Sequence, residues 1–237
     1  MVEQSKEEKF HQYILNLPQD KKDAVKGKPT EVLKLIDEYP EWFMNIGPDK
    51  GAFIVKEIVK KQPKIMIEMG GYIGYSAVLF ASQLIADPEA KYYSFEASHE
   101  FAKIAQDVID LAGLTKKVEI IVGKASYTLV DFKERLKKSS SYTPIDFVFI
   151  DHDKNSYVPD LCLCEKLNFI APGTVIAADN LYSAPEYKEY VRLSPEEKKR
   201  YPGRWNIIYE TKSHEFELRG GHKDAVELTK CIDYLSG

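Results

Sequence analysis

The chain has 237 residues, 44% of them hydrophobic, and a formal charge of −4 from 33 Lys and Arg against 37 Asp and Glu. That supports one large core and, with Lys and Glu interleaved, leaves no basic face for nucleic acid. No apolar run approaches the roughly 18 residues of a membrane span, the N-terminus lacks a signal-peptide apolar region, and the three cysteines have no zinc spacing, so a soluble cytoplasmic protein with reduced thiols is expected.

Residues 1–62 carry no strand pattern and read as helices broken at Pro18, Gly27-Lys28-Pro29, Pro40 and Gly47-Pro48, with a helix start at Thr30-Glu31. From residue 64 the pattern changes. Short apolar runs at 64–69 (KIMIEM), 91–96 (KYYSFE), 118–122 (VEIIV), 145–150 (IDFVFI) and 174–178 (TVIAA) read as buried strands. Helical apolar spacing occupies 76–84, 98–111, 157–168 and 186–192. Strands alternating with helices predict βαβ units, right-handed crossovers and a mostly parallel sheet. Pro195 to Pro202 reads as a charged loop. Residues 205–210 (WNIIYE) and 214–218 (HEFEL) predict an antiparallel hairpin that turns at Thr211-Lys212-Ser213. The expected fold is α/β, a single domain over 1–237, with an N-terminal helical cap (1–62) and a seven-stranded core (63–237).

Two of these strands run straight into acidic clusters, Asp151-His152-Asp153-Lys154 and Asp179-Asn180. In an open parallel sheet, ligands bind outside the carboxyl ends of the strands, so Asp151, Asp179 and Asn180 are predicted to converge. Three oxygen donors without thiolate or imidazole suit a hard cation, most simply Mg²⁺. Lys154, three residues past Asp151, can reach the same spot within one helical turn. On their own, a lysine after a strand is usually solvated and His152 usually packed.

The first strand ends in Glu68-Met69-Gly70-Gly71-Tyr72-Ile73-Gly74-Tyr75-Ser76. Glycines there let the backbone approach a ligand, and they also serve a bare turn that needs positive φ. A dinucleotide fingerprint ending at Gly74 requires glycine at position 69, where the chain has Met69, which disfavours an NAD(P)-dependent oxidoreductase. Glu68 suits a ligand that presents a cation, such as the amino group of a methionine-derived cofactor. Glu96, closing the second strand, can hold both hydroxyls of a ribose in either class.

With these words in place the sequence resembles the catechol O-methyltransferases, a branch of the Rossmann-like methyltransferases that use S-adenosylmethionine. The resemblance runs over roughly residues 30 to 233. It rests on Glu41-Trp42-Phe43-Met44-Asn45-Ile46-Gly47, the glycine loop from Glu68 to Ala77, Asp151-His152-Asp153-Lys154 and Ala178-Asp179-Asn180. It implies a methyl transferred in line from S-adenosylmethionine to one hydroxyl of a small Mg²⁺-chelated catechol, by a monomeric enzyme. Met44, Asn45 and Ile46 are then expected at the methionine end of the cofactor, with Glu68, Gly70, Tyr72, Tyr75 and Ser76 around it. Glu96 and Ala97 would lie at the ribose, and Ser126, Asp151 and His152 at the adenine and sulfonium regions. Asp151, Asp179 and Asn180 would hold the metal and Lys154 would be the general base. Trp42, Asp153, Lys154 and Asn180 would face the substrate.

The chain departs from the family pattern in three places. Tyr127 replaces a glutamine at the adenine, and Asp153 replaces a tryptophan that packs on the catechol ring. The loop between Asn180 and Pro185 is shorter. The glutamate that receives the second hydroxyl is matched best by Glu217. A rebuilt substrate wall leaves open bulkier vicinal diphenols, such as hydroxycinnamoyl conjugates. A non-catalytic binding module would have no use for Lys154 beside an intact ligand set.

Overall fold

Four helices come first in the computed structural model, which describes residues 4–138, 144–218 and 220–235. They are α1 (Lys6–Leu15), α2 (Gln19–Val25), α3 (Pro29–Asp37) and α4 (Pro48–Lys61). Helix α1 opens on a capping box, in which Ser5 accepts from the Glu8 N–H and Glu8 accepts from the Ser5 N–H. Proline begins both α3 and α4, where its missing N–H costs no helical bond. The helix breaks predicted at the prolines and glycines fall where the sequence places them.

The core follows as β1 (Ile65–Met69), α5 (Tyr75–Ala81), β2 (Lys91–Glu96), α6 (His99–Leu111), β3 (Val118–Val122), α7 (Ala125–Lys138), β4 (Phe147–Ile150), α8 (Tyr157–Lys166), β5 (Val175–Ala178), α9 (Pro185–Tyr190), α10 (Pro195–Lys198), β6 (Ile207–Glu217) and β7 (Lys223–Tyr234). One sheet of seven strands takes the order β3-β2-β1-β4-β5-β7-β6. Strands β1 to β5 pair in parallel, and β7 inserts antiparallel between β5 and β6. The α/β architecture with an antiparallel C-terminal hairpin is as expected.

Side chains alternate across the sheet, so each buried strand feeds two apolar layers. Met66, Phe147 and Phe149 join a cluster with Phe10, Ile54 and Phe80, which ties α1, α4 and α5 to one face. Ile67, Val148 and Ile150 join Leu129, Phe132 and Leu161 on the other, under α7 and α8.

Three elements differ from the sequence reading. Helix α7 was not anticipated, although Ala125, Leu129, Phe132 and Leu136 recur at helical spacing and are the residues it buries; eight polar or charged residues among its fourteen dilute the signal. The charged 195–202 segment starts with a short helix, capped by Ser194 and Glu197 as a capping box. The hairpin exists, but its turn is elsewhere. Thr211, Lys212 and Ser213 lie inside β6, opposite Thr229, Leu228 and Glu227. The chain reverses at 218–222, where Leu218 N–H donates to the His222 carbonyl (2.6 Å) and Gly220 and Gly221 take positive φ. Thr211 and Ser213 resemble turn residues in sequence, yet both hydroxyls donate to the buried carboxylate of Glu227.

Candidate active site

The registers Met69↔Ile150 and Ile150↔Ala178 place Gly70, Asp151 and Asp179 side by side just past the ends of β1, β4 and β5. The backbone of each turn is tied to its neighbour: Asp151 N–H donates to the Met69 carbonyl (2.9 Å) and Asp179 N–H to the Ile150 carbonyl (3.0 Å). Gly70 has φ +100°, and a Cβ there would run into the Asp151 carbonyl. The glycine is therefore required by the packing of two loops before any ligand is considered.

A cavity of about 1400 Å³ opens over these ends. Gly70, Tyr72, Tyr75 and Ser76 from the glycine loop line it, as do Glu96, Ala97 and Ser126 at the ends of the next two strands. Met44, Asn45 and Ile46 form another wall. Asp151, His152, Asp153, Lys154, Asp179 and Asn180 form the acidic corner, and Trp42 and Glu217 stand at the rim. Trp42 is 72% exposed and Met44 68%, so this part of the cavity lining is uncovered apolar surface. Of the residues given a cofactor, metal, catalytic or substrate role in sequence, only Glu68 is absent from the lining. Tyr127 points away, 74% exposed and outside the cavity.

At the glycine-loop end, Glu96 accepts from the Tyr72 N–H and the Ser98 N–H, both at 2.7 Å, which fixes the carboxylate and leaves lone pairs on each oxygen. Tyr72 itself has φ +45°. Its hydroxyl donates to Glu7 of α1 (2.5 Å), and its ring meets Phe101 edge-on at 5.0 Å. Lys6, the preceding residue, donates to the Trp42 carbonyl at 2.8 Å. Helix α1 thus braces both the glycine loop and the rim.

Glu68 lies beneath this end, wholly buried, accepting from Ser76 and from Ser94 (2.6 Å). It reaches the cavity only through the Ser76 hydroxyl. Burial pushes its carboxyl from 4.5 up to about 7, against the pull of those hydroxyls. The folded state therefore holds this proton in a window where the unfolded chain has lost it. Stability from this group is complete below pH 4.5 and is lost as pH rises through about 7, a change on the order of 3 kcal/mol. Glu68→Gln is expected to shrink the fall in Tm between those limits in metal-free protein; an equal fall in variant and wild type would place the titration elsewhere.

The acidic corner is a network. Lys154 Nζ donates to Asp151 Oδ1 and to the Tyr157 hydroxyl, both at 2.8 Å, and Tyr157 donates to the Asp179 carbonyl (3.1 Å). His152 stacks on the Tyr157 ring at 5.2 Å and pairs through Nε2 with Asp160 (2.8 Å). Its buried Nδ1 has no hydrogen-bond partner among the described residues. Asn180 sits in the left-handed region at φ +52°, a conformation asparagine tolerates better than most residues. Asp153 is exposed and accepts from Ser156 (3.0 Å), so the position of the family's aromatic wall holds a solvated carboxylate.

Two members of the corner escaped the sequence reading. Lys50, in the first turn of α4, is 4% exposed and donates to both oxygens of Asp179 (2.7 and 2.8 Å) and to Asp224 Oδ2 (3.0 Å). Asp224, near the start of β7, also accepts from Asn180 Nδ2 (3.0 Å). Glu217 faces Lys223 across the hairpin, exposed at the rim, so the hairpin carboxylate in contact with the corner is Asp224. Burial, then the charge of Asp151, pushes the Asp179 carboxyl up to about 7. Burial also raises Asp151, despite Lys154. For Asp224, burial is outweighed by the hydrogen bonds from Asn180 and Lys50, which hold it below its ordinary value.

No three Asp, Glu, His or Cys side chains among the described residues form a ready metal cage. Two carboxylates and an amide oxygen on adjacent turns are a different set, and a chemically suitable one for a hard cation. The charge of Asp151 adds to burial in raising the proton affinity of Asp179, which marks the corner as short of positive charge even with two lysines present. The residues fit Mg²⁺.

The order of the sheet, its reversed seventh strand and a cavity shared between a glycine loop and an acidic corner define a Rossmann-like methyltransferase fold. An O-methyltransferase of Bacillus cereus in complex with SAH superposes with a TM-score of 0.65 at 22% identity, over 94% of this chain and 97% of that one. One from Streptomyces achromogenes in complex with SAM does so with the same score at 18% identity, over 97% of this chain and 100% of the other. A family model described as O-methyltransferase matches residues 30–189. Catechol O-methyltransferases of Bos taurus and Mus musculus are 36% and 38% identical to 79% and 72% of this chain, which spans 66% and 64% of their lengths. The chain belongs to the O-methyltransferase family, on its catechol O-methyltransferase branch. No helix among the described residues is long and apolar enough to cross a membrane.

Proposed function

We propose that the chain transfers the methyl group of S-adenosylmethionine to one hydroxyl of a vicinal diphenol, with Mg²⁺ held by Asp151, Asp179 and Asn180. The observation that carries this reading is the shared cavity, with a ribose-competent carboxylate, Glu96, at one end and the acidic corner with Lys154 at the other. The kinship with catechol O-methyltransferases supports the substrate class.

Each residue then has a defined task. Glu96 holds the ribose hydroxyls. Gly70 and Ser76 hold the methionine end, with Tyr72 and Tyr75 against it, and Met44, Asn45 and Ile46 close that wall. Ser126 borders the adenine. When bound, Mg²⁺ supplies a Lewis acid that acidifies the diphenol and orients its two oxygens. Lys154 Nζ takes the proton from the hydroxyl that accepts the methyl group. Glu217, which lines the cavity, would receive the second hydroxyl, while Asp224, outside the lining, holds Asn180 in place. His152, with Nδ1 turned into a dry setting, keeps water from the transfer path. Trp42 covers the open side of the ring.

Asp153 favours a wider and more polar site than an aromatic wall would make. Catechols bearing an amine are accommodated by its charge, and bulkier hydroxycinnamoyl conjugates by the missing ring. Product mass spectrometry with S-adenosylmethionine, comparing neutral, amine-bearing and hydroxycinnamoyl diphenols with and without chelator, tests the reading. A monomethylated product that vanishes with chelator is expected, with the amine-bearing catechol the better substrate. Turnover of no diphenol would overturn the proposal, and preference for the conjugate would replace the simple catechol.

A further inference from the structure

The corner contains more cationic machinery than a single metal ion requires. Lys50 Nζ lies within 3.0 Å of three carboxylate oxygens, two from Asp179 and one from Asp224. Those are the contacts a divalent ion would make if it were chelated by Asp179 and held by Asp224. The ammonium is buried, anchored by α4, and reached by no other acidic group than this pair among its hydrogen-bond partners. Lys154 answers the third carboxylate, Asp151, on the opposite side. Three carboxylates against two ammonium groups leave one uncompensated negative charge, which is the share left for a mobile cation.

We infer that Lys50 is a positioning residue that fills a second cation position between Asp179 and Asp224, so that the corner admits one divalent ion and refuses another. The inference rests on the metal reading above for the first ion, and on the geometry of Lys50 alone for the second. A carboxylate bridging two divalent ions is common where acids cluster, as in two-metal phosphoryl-transfer sites. Here the second position is occupied by a tethered charge that cannot dissociate. This holds Asp179 in one orientation and keeps Asp224, which also accepts from Asn180, from being drawn into metal coordination.

The test counts ions. Wild type, Lys50→Met and Lys50→Arg are stripped of metal and titrated with MnCl₂, and bound Mn²⁺ is measured by calorimetry and by electron paramagnetic resonance of the free ion. Wild type is expected to bind one ion, Lys50→Met one more than wild type, and Lys50→Arg, which restores the charge, the wild-type number. If wild type binds none and Lys50→Met binds one, the inference stands and the metal reading falls. If both bind one, the inference is overturned and the metal reading stands; if neither binds, both are overturned. Should Lys50→Met be unfolded without metal, its melting transition is followed as MnCl₂ is added. Recovery of the folded state supports a cation position vacated by Lys50, and no recovery overturns it.

Discussion

Lys154→Met is expected to lower kcat by ~10²–10⁴-fold, the usual contribution of a positioned base, and to leave S-adenosylhomocysteine affinity near that of wild type. Methionine preserves most of the length and apolar bulk of the side chain and removes the proton acceptor. The amine is well aimed: it is anchored by Asp151 and the Tyr157 hydroxyl and stands 4.9 Å from the Tyr157 ring centroid, so it does not roam over the surface. The same anchoring creates a second explanation for any loss, because removing the ammonium leaves Asp151 without its partner and alters the charge seen by a metal. Lys154→Arg separates the two. Arginine keeps the charge and can pair with Asp151, but it does not give up its proton at working pH. If Arg is as slow as Met at saturating metal, proton acceptance is what was lost. If Arg restores the rate, Lys154 acts as a counter-charge. A loss below about threefold in Lys154→Met would mean that the metal alone acidifies the hydroxyl enough.

The sheet was legible because its strands are short, buried on both faces and separated by helical spacing, so each announces itself locally. The acidic corner was legible for the same reason, since Asp151 and Asp179 follow their strands without interruption. What stayed hidden depends on pairings distant in sequence. Lys50 and Asp179 are 129 residues apart, and nothing around Lys50 in an amphipathic helix distinguishes it from a solvated lysine. Asp224 was lost with the hairpin register. Once Thr211 and Ser213 are read as a turn, β7 has no partner and its first acid has no address, although Glu227 satisfies both hydroxyls inside the ladder. Glu68 shows the opposite failure. Its place at a strand end suggested a ligand contact, but alternation carries the side chain under the loop, where Ser76 stands between it and the cavity.

Metal removal is expected to have the other large effect. With excess chelator, turnover should fall below detection and return on titration with Mg²⁺, while S-adenosylhomocysteine binding, which we propose rests on Glu96 and the glycine loop, should change little. The corner as it stands cannot hold a diphenolate unaided. Asp179 is a buried acid whose proton affinity is already raised by burial and by the charge of Asp151, so a further oxyanion brought beside the pair needs a divalent charge to be stable. Ca²⁺ provides a control for geometry, since it takes 6–8 oxygen ligands at longer distances than octahedral Mg²⁺. It should occupy the corner without supporting the same rate. Asp179→Asn keeps the shape of the side chain and removes its charge, which should raise the Mg²⁺ concentration needed for half-maximal rate by at least about tenfold, the equivalent of ~1.4 kcal/mol. Full activity in chelator would make the transfer a metal-free one that relies on Lys50 and Lys154 at the corner, and an unchanged Mg²⁺ requirement in Asp179→Asn would remove Asp179 from the metal's ligands.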